Sequence, residues 1–144
     1  MTSELTYVGV DLAINERGDA LLGYRVRRAV DLPVELRIRR FSAESGWADE
    51  EKPLGESTVG KVLVGIFEDG HAIAAWNVYS ATVATSYDIW TMQSTEQGWT
   101  QPVLLGTGAF LSGSGGFSLA VGQSLAMITW HDTTTHDVRV AQLD

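Results

Sequence analysis

Two histidine–aspartate pairs have the residue types and spacing of a metal site. His131–Asp132 and His136–Asp137 flank the segment TTT. Two imidazoles on either side of a tight loop can reach one metal ion, and carboxylate oxygens can complete its coordination shell. The same pattern is typical of an exposed polar hairpin loop, which is the interpretation that we favour. The sequence therefore predicts no metal and no other cofactor, with His131 and His136 as weak candidates.

Tryptophans beside charged residues form a second candidate site, one for carbohydrate. Trp47 and Trp99 each follow a glycine, and Arg17 lies in the turn NERGD. An indole can stack on a sugar ring while charged side chains hydrogen-bond its hydroxyl groups. Packing within the fold is the more common role of such tryptophans, and both roles stay open. A sugar site would lie between repeats and would use Trp47, Trp99 and Arg17.

Other chemistries find little support in the sequence. The segment GSGG at 113–116 lacks the lysine of a phosphate-binding loop, and no helical pattern follows it. The chain has no cysteine, which excludes thiolate chemistry and disulfides. No Ser–His–Asp arrangement can be assigned. The formal net charge of −8 argues against nucleic acid as a partner, because binding phosphates needs a cationic surface.

An internal repeat organises the chain. Gly18 recurs as Gly70, and Gly46 recurs as Gly98, in both cases 52 residues later. A third, shorter copy contains Trp130, and its loops differ in length from those of the first two. The three copies span approximately residues 5–56, 57–108 and 109–144.

Each copy has the pattern of short β-strands. An apolar strand, a glycine-bearing turn, a strand with small residues and an aromatic, and a third strand follow one another. In the first two copies a Gly-Trp turn leads to a fourth strand. Four short strands in about 50 residues are typical of a propeller blade. The predicted fold is a single all-β domain over 1–144 with three β-propeller-type blades, half of a six-bladed propeller; a three-repeat β-sandwich or β-prism is the alternative.

The Gly-Trp turns carry a family resemblance. The segments FSAESGWAD at 41–49 and STEQGWTQP at 94–102 resemble the Asp-box turn of sialidase-like propellers, Ser/Thr-x-Asp-x-Gly-x-x-Trp. Glu44 and Glu96 stand in place of the aspartate, and the tryptophan follows the glycine directly. Asp boxes are structural turns at the propeller rim, so the resemblance implies the fold. The Phe-Arg-Ile-Pro motif of catalytic members is absent, which implies a non-catalytic member.

The three copies leave the predicted propeller incomplete. Propellers have about four to eight blades, so three cannot close a ring. The third copy stops after its third strand, at Asp144, and the segment MTSELTY is a candidate for the missing strand. We therefore expect two chains to form a six-bladed ring, a homodimer in which each completes the other. A fragment of a longer propeller and an open half-ring are the alternatives.

Arginines concentrate in the first copy, within RVRR and RIRR. Strand alternation predicts that Tyr24 and Val26 face the core, so that Arg25 and Arg27 point to the opposite, free face. That face is either solvated or meets an acidic face of another subunit. The candidate interface residues are Arg25, Arg27, Arg37 and Arg39.

These patterns favour a non-catalytic β-propeller module that binds protein or serves as a scaffold. A carbohydrate-binding propeller lectin is the alternative, and a sialidase-type glycoside hydrolase ranks third. No signal peptide is visible, and no apolar run reaches the roughly 20 residues of a membrane-spanning helix. We therefore expect a cytoplasmic protein without membrane or nucleic-acid partners, with a piece of a secreted protein as the alternative.

Overall fold

A computed structural model describes residues 6–55, 59–83, 85–109 and 116–144, and for residues 6–8 it describes the backbone alone. Within these ranges the secondary structure consists of strands and turns, which confirms the all-β prediction. No helix in the described ranges is long and apolar enough to cross a membrane. Residues 1–5, in the proposed N-terminal strand, and residues 113–115 of the GSGG segment lie outside the described residues.

The strands form three antiparallel sheets in chain order. The first sheet contains β1 (Thr6–Ile14), β2 (Ala20–Arg27), β3 (Glu35–Ser42) and β4 (Gly46–Trp47). The second contains β5 (Val62–Ile66), β6 (Ala72–Tyr79), β7 (Tyr87–Thr95), β8 (Gly98–Trp99) and β9 (Val103–Ala109), with β8 and β9 both paired to β7. The third contains β10 (Phe117–Val121), β11 (Ala126–His131) and β12 (Val138–Leu143).

Glycines shape the turns at matching places in the first two sheets. Gly18 and Gly70 close the first hairpins with φ of +83° and +89°. Gly46 and Gly98 do the same between the third strand and the short strand after it, with φ of +80° and +112°. Side chains other than glycine rarely adopt this left-handed backbone, so these positions define where the strands end.

The cross-strand register repeats from sheet to sheet. Three residue pairs occupy the same place in the three sheets: Leu12–Leu22, Val64–Ala74 and Leu119–Ile128. We call residues at matching places in this register equivalent positions. The aromatic residues two positions further along the second strand are equivalent in this sense: Tyr24, Trp76 and Trp130.

The sheets stack face to face, with the second sheet in the middle. β5 packs against β1 and β2 on one side and against β10 on the other. One apolar core, which includes Leu21, Ile38 and Trp76, lies between the first and second sheets. Another, which includes Ile73 and Phe117, lies between the second and third. The middle sheet is therefore buried on both faces, whereas each outer sheet has one face without a neighbouring sheet among the described residues.

Candidate functional site

The outer face of the first sheet is apolar and exposed. Side chains alternate along a strand, so Val10, Leu12 and Ile14 share one side of β1, and they are 70%, 61% and 69% exposed. Leu22 and Tyr24 of β2 lie on the same side, and with Val10 they line a groove of about 460 Å³. We call the surface formed by Val10, Leu12, Ile14, Leu22 and Tyr24 the front face.

Residues equivalent to the front face are buried in the second sheet. Val62, Val64 and Ile66 occupy the positions of Val10, Leu12 and Ile14 and are 4%, 5% and 8% exposed. They pack against the first sheet in the core between the two sheets. The front face therefore has the composition of an intersheet contact, but no sheet covers it among the residues that the structure describes.

The outer face of the third sheet is the second exposed apolar surface. Met127 is 42% exposed, Val138 70% and Val140 60%. The small residues Ala120 and Thr129 lie on the same side, because Ala120 pairs with Met127 and Thr129 pairs with Val140. We call the surface formed by Ala120, Met127, Thr129, Val138 and Val140 the back face.

Residues equivalent to the back face are buried in the other two sheets. The positions of Met127 and Val138 are filled in the first sheet by Leu21 and Leu36, both 0% exposed. The corresponding residues of the second sheet, Ile73 and Ile89, are also fully buried. The back face thus repeats a contact surface that is covered twice within the chain.

Sequence reasoning missed both faces as sites, although their signal was present. The 52-residue offset places Leu12 at the position of Val64 and Ile14 at that of Ile66. Such a position is buried in the middle sheet. When the same position carries an aliphatic residue on a terminal sheet, it indicates a surface that another sheet could cover. Contiguous exposed apolar surface commonly marks a protein contact.

A network of ion pairs borders the front face. Arg37 lies on the same side as Tyr24 because the two residues pair across β2 and β3. It bonds Glu35 at 2.5 Å and Glu50 at 2.7 Å, while Lys52 lies 3.2 Å from Glu35. Burial raises the pKa of Glu35, but the hydrogen bonds and positive charges of Arg37 and Lys52 outweigh it and hold the pKa below its usual range. The predicted interface residue Arg37 is therefore at the front face with its charge already balanced.

Arg39 lies on the same side of the first sheet, since it pairs with Leu22. It also lines the groove of the front face. Its guanidinium donates to the carbonyl oxygen of Ala48 at 3.0 Å and lies 5.7 Å from the centre of the Trp47 ring. Like Arg37, it is held in place by its own sheet.

Arg25 and Arg27 point the other way from the prediction. They alternate with Tyr24 and share a side with Gly23, where an added methyl group would lie 2.4 Å from Val64 of the second sheet. The free face of the first sheet is thus the side of Tyr24. Trp76, the equivalent of Tyr24, is buried because the second sheet has a neighbour on that side. Burial lowers the pKa of Arg25.

The residues predicted to contact sugar lie in separate places. Arg17 lines a cleft of about 450 Å³ between the first two sheets, together with Gly46 and Gly70. Trp99 lines a neighbouring cleft of about 340 Å³. Trp47 is 48% exposed and packs edge-on against Phe41, with ring centres 5.3 Å apart.

Trp99 has a structural role in its cleft. Its indole N–H donates to Glu51 at 2.6 Å, and the guanidinium of Arg40 lies 5.5 Å from its ring centre. Arg40 also pairs with Glu51 at 3.0 Å and donates to the carbonyl oxygen of Gly70 at 3.2 Å. These contacts join the first sheet to the second. His71 lines the same cleft.

His131 and His136 come close, with ring centres 6.4 Å apart, in the hairpin that precedes β12. Asp132 organises that hairpin: its side chain accepts the backbone N–H groups of Thr134 and Thr135 and pairs with Arg139 at 3.2 Å. The two backbone N–H groups and Arg139 lower the pKa of Asp132. In the described ranges no three His, Cys, Asp or Glu side chains gather as a metal site.

In both Gly-Trp turns a hydroxyl group accepts a backbone N–H of the turn. The Ser42 hydroxyl accepts the N–H of Glu44 at 3.2 Å, and the Thr95 hydroxyl accepts that of Gln97 at 3.2 Å. The Glu44 and Glu96 residues are exposed.

Comparisons with known proteins bear on the fold. The chain is similar in structure to the Hadza microbial sialidase Hz136, with a TM-score of 0.54 and 14% identity over 94% of this chain. The chain has a sialidase-like fold. The match covers 34% of the sialidase, so the chain spans about a third of that protein's length. No protein-family model matches the chain, and the search of curated protein sequences gave no match.

Proposed function

We propose that this chain is a non-catalytic interaction module of the β-propeller type that is completed by a second copy of itself. The observation that carries the proposal is the exposure of apolar side chains at both ends of the sheet stack. Leu12 and Val140 are 61% and 60% exposed, although their equivalents Val64 and Ile38 are buried by neighbouring sheets. A second copy supplies such sheets.

The number of sheets favours two copies. Three sheets per chain give six in a pair, within the range of about four to eight blades of known propellers. Three copies would exceed that range. The sialidase-like fold supports the propeller part of the proposal.

The apolar surface is large enough to drive association. Each copy contributes six side chains that are 42–70% exposed: Val10, Leu12, Ile14, Met127, Val138 and Val140. Covering each of them is worth roughly 1 kcal/mol. For two copies the gain exceeds the lower estimates of the association cost, about 4 kcal/mol. Charge contributes less, since Arg37 is ion-paired with Glu35 and Glu50 and Arg39 is bonded to the Ala48 carbonyl oxygen within the chain.

The mass in solution tests the proposal. Light scattering across micromolar concentrations should give twice the mass of the single chain. Leu12→Glu and Val140→Glu should each give the single-chain mass, because association would bury an unpaired charge. Val103→Glu is the matched control: Val103 is 54% exposed but belongs to the middle sheet, so this variant should remain a dimer. A wild-type chain of single mass throughout would overturn the proposal.

A second candidate function is carbohydrate binding in the cleft at Trp99. The supporting observation is that Trp99, His71 and Asp69 line one open cleft together with Arg40 and Glu51. His71 is oriented by its 2.9 Å contact with Asp69, which leaves the far nitrogen of its ring for a ligand. A glycan array tests this function, and an array without hits contradicts it. A fluorogenic sialoside tests the hydrolase alternative, for which we expect no turnover.

A further inference from the structure

We propose that the two copies join front to back, with Ile14 of one copy seated on Ala120 of the other. This inference rests on the proposed self-association and adds which surfaces meet. The front face of one copy contacts the back face of the other. The alternative is a contact between two front faces or between two back faces.

The two junctions inside the chain show how such sheets fit together. At each junction a branched side chain of one sheet sits on a glycine of the preceding sheet. A methyl group added at Gly23 would lie 2.4 Å from Val64, and one added at Gly65 would lie 2.2 Å from Val121. Close packing of the sheets therefore depends on a small residue beneath each branched one.

The front and back faces carry the two halves of this arrangement. On the front face, Leu12 and Ile14 occupy the positions that Val64 and Val121 hold at the internal junctions. On the back face, the positions of Gly23 and Gly65 are held by Thr129 and Ala120. At these two matched positions the front face carries the larger side chains and the back face the smaller ones, which is the complement that a front-to-back contact needs.

Contacts between identical faces fit less well. On β1 the front face presents Val10, Leu12 and Ile14 in succession, so two front faces would place one branched ridge against another. Such a contact would also leave both back faces uncovered.

Thr129 is larger than Gly23, so we expect the front-to-back junction between copies to be slightly wider than the internal ones.

Two substitutions that change side-chain size, one in the first sheet and one in the third, test the contact. Ala120 is exposed, so Ala120→Leu should leave the single chain folded while placing a larger side chain beneath Ile14 of the other copy. We expect this variant to weaken the dimer at least about tenfold. Ile14→Ala should weaken it to a similar extent by removing packed apolar surface.

The double variant Ile14→Ala, Ala120→Leu should associate more tightly than the product of the two single effects, because the smaller residue makes room for the larger one. The two residues lie on the first and third sheets of one chain, so coupling between them arises across the junction between copies. Independent effects of the two changes would overturn the front-to-back contact while leaving self-association intact. Circular dichroism at high dilution checks that each variant is folded.

The two charged variants distinguish a front-to-back dimer from a dimer of two front faces. In a front-to-back dimer, Leu12→Glu and Val140→Glu both disrupt association, since each face takes part in a junction. In a dimer of two front faces, Val140→Glu would retain the dimer mass, and that result would also overturn the inference. A single-chain mass for the unaltered protein would instead overturn the proposed function itself.

Discussion

Replacing Gly65 with alanine should destabilise the protein through a single steric contact. Gly65 lies on β5, where the second sheet meets the third. The added methyl group would lie 2.2 Å from Val121 Cγ2 and 3.0 Å from Ile73 Cγ2. Both neighbours are β-branched, and β-branched side chains are stiff about χ1, so the sheets must separate.

The magnitude follows from two opposing effects. Overpacking of this kind costs typically 1–3 kcal/mol. Alanine also reduces the conformational entropy of the unfolded chain, which returns about 0.4–1 kcal/mol. The midpoints of these two ranges give an expected net loss of about 1.3 kcal/mol in the free energy of unfolding.

Denaturant titration at one protein concentration measures this loss. Gly122→Ala is the matched control, because the atom nearest to its added methyl group is the Leu125 carbonyl oxygen at 3.6 Å, an ordinary contact. Adding Val121→Ala to Gly65→Ala should recover part of the loss. The reasoning is refuted if Gly65→Ala is as stable as Gly122→Ala, or if the two changes at the junction are additive.

Three further changes test other contacts by denaturant titration. Glu35→Gln should lower the free energy of unfolding at pH 7 by about 1 kcal/mol. Because the pKa of Glu35 is depressed, its contribution is lost as pH falls through that pKa, so variant and wild type should converge in acid; a constant difference would contradict this. Trp99→Phe should cost about 1 kcal/mol by removing the bond to Glu51. Ile38→Ala should cost about 2–5 kcal/mol, since Ile38 is fully buried.

Much of the local structure could be predicted from the sequence. The glycines at 52-residue spacing mark turns whose backbone only glycine adopts readily, so Gly18 and Gly46 located the strand ends. Strand alternation then divided each strand into two sides. It could not say which side of the first sheet meets the second, because that depends on the direction in which the sheets stack. This is why Arg25 and Arg27 were assigned to the free face.

The candidate sugar site shows a similar limit. Trp47 and Trp99 are equivalent by the repeat, but their surroundings differ. Trp99 meets Glu51 and Arg40 of the first sheet, whereas Trp47 contacts Phe41 and Arg39 of its own sheet. A sequence repeat predicts that equivalent residues have the same backbone position within their own sheets. It does not predict the neighbours that another sheet supplies, so equivalent tryptophans need not share a role.

The stacking of all three sheets in the same sense has a consequence for assembly. When the front face of one copy binds the back face of another, each copy still has one uncovered face, so further copies can bind. Successive copies close into a ring when the rotation between them divides a full turn, and otherwise grow as a helical filament. Here the rotation between neighbouring sheets is set twice inside each chain, at the contacts of Gly23 with Val64 and of Gly65 with Val121. Two of the three rotations in each repeating unit of the assembly are therefore fixed in the folded chain before a second copy binds.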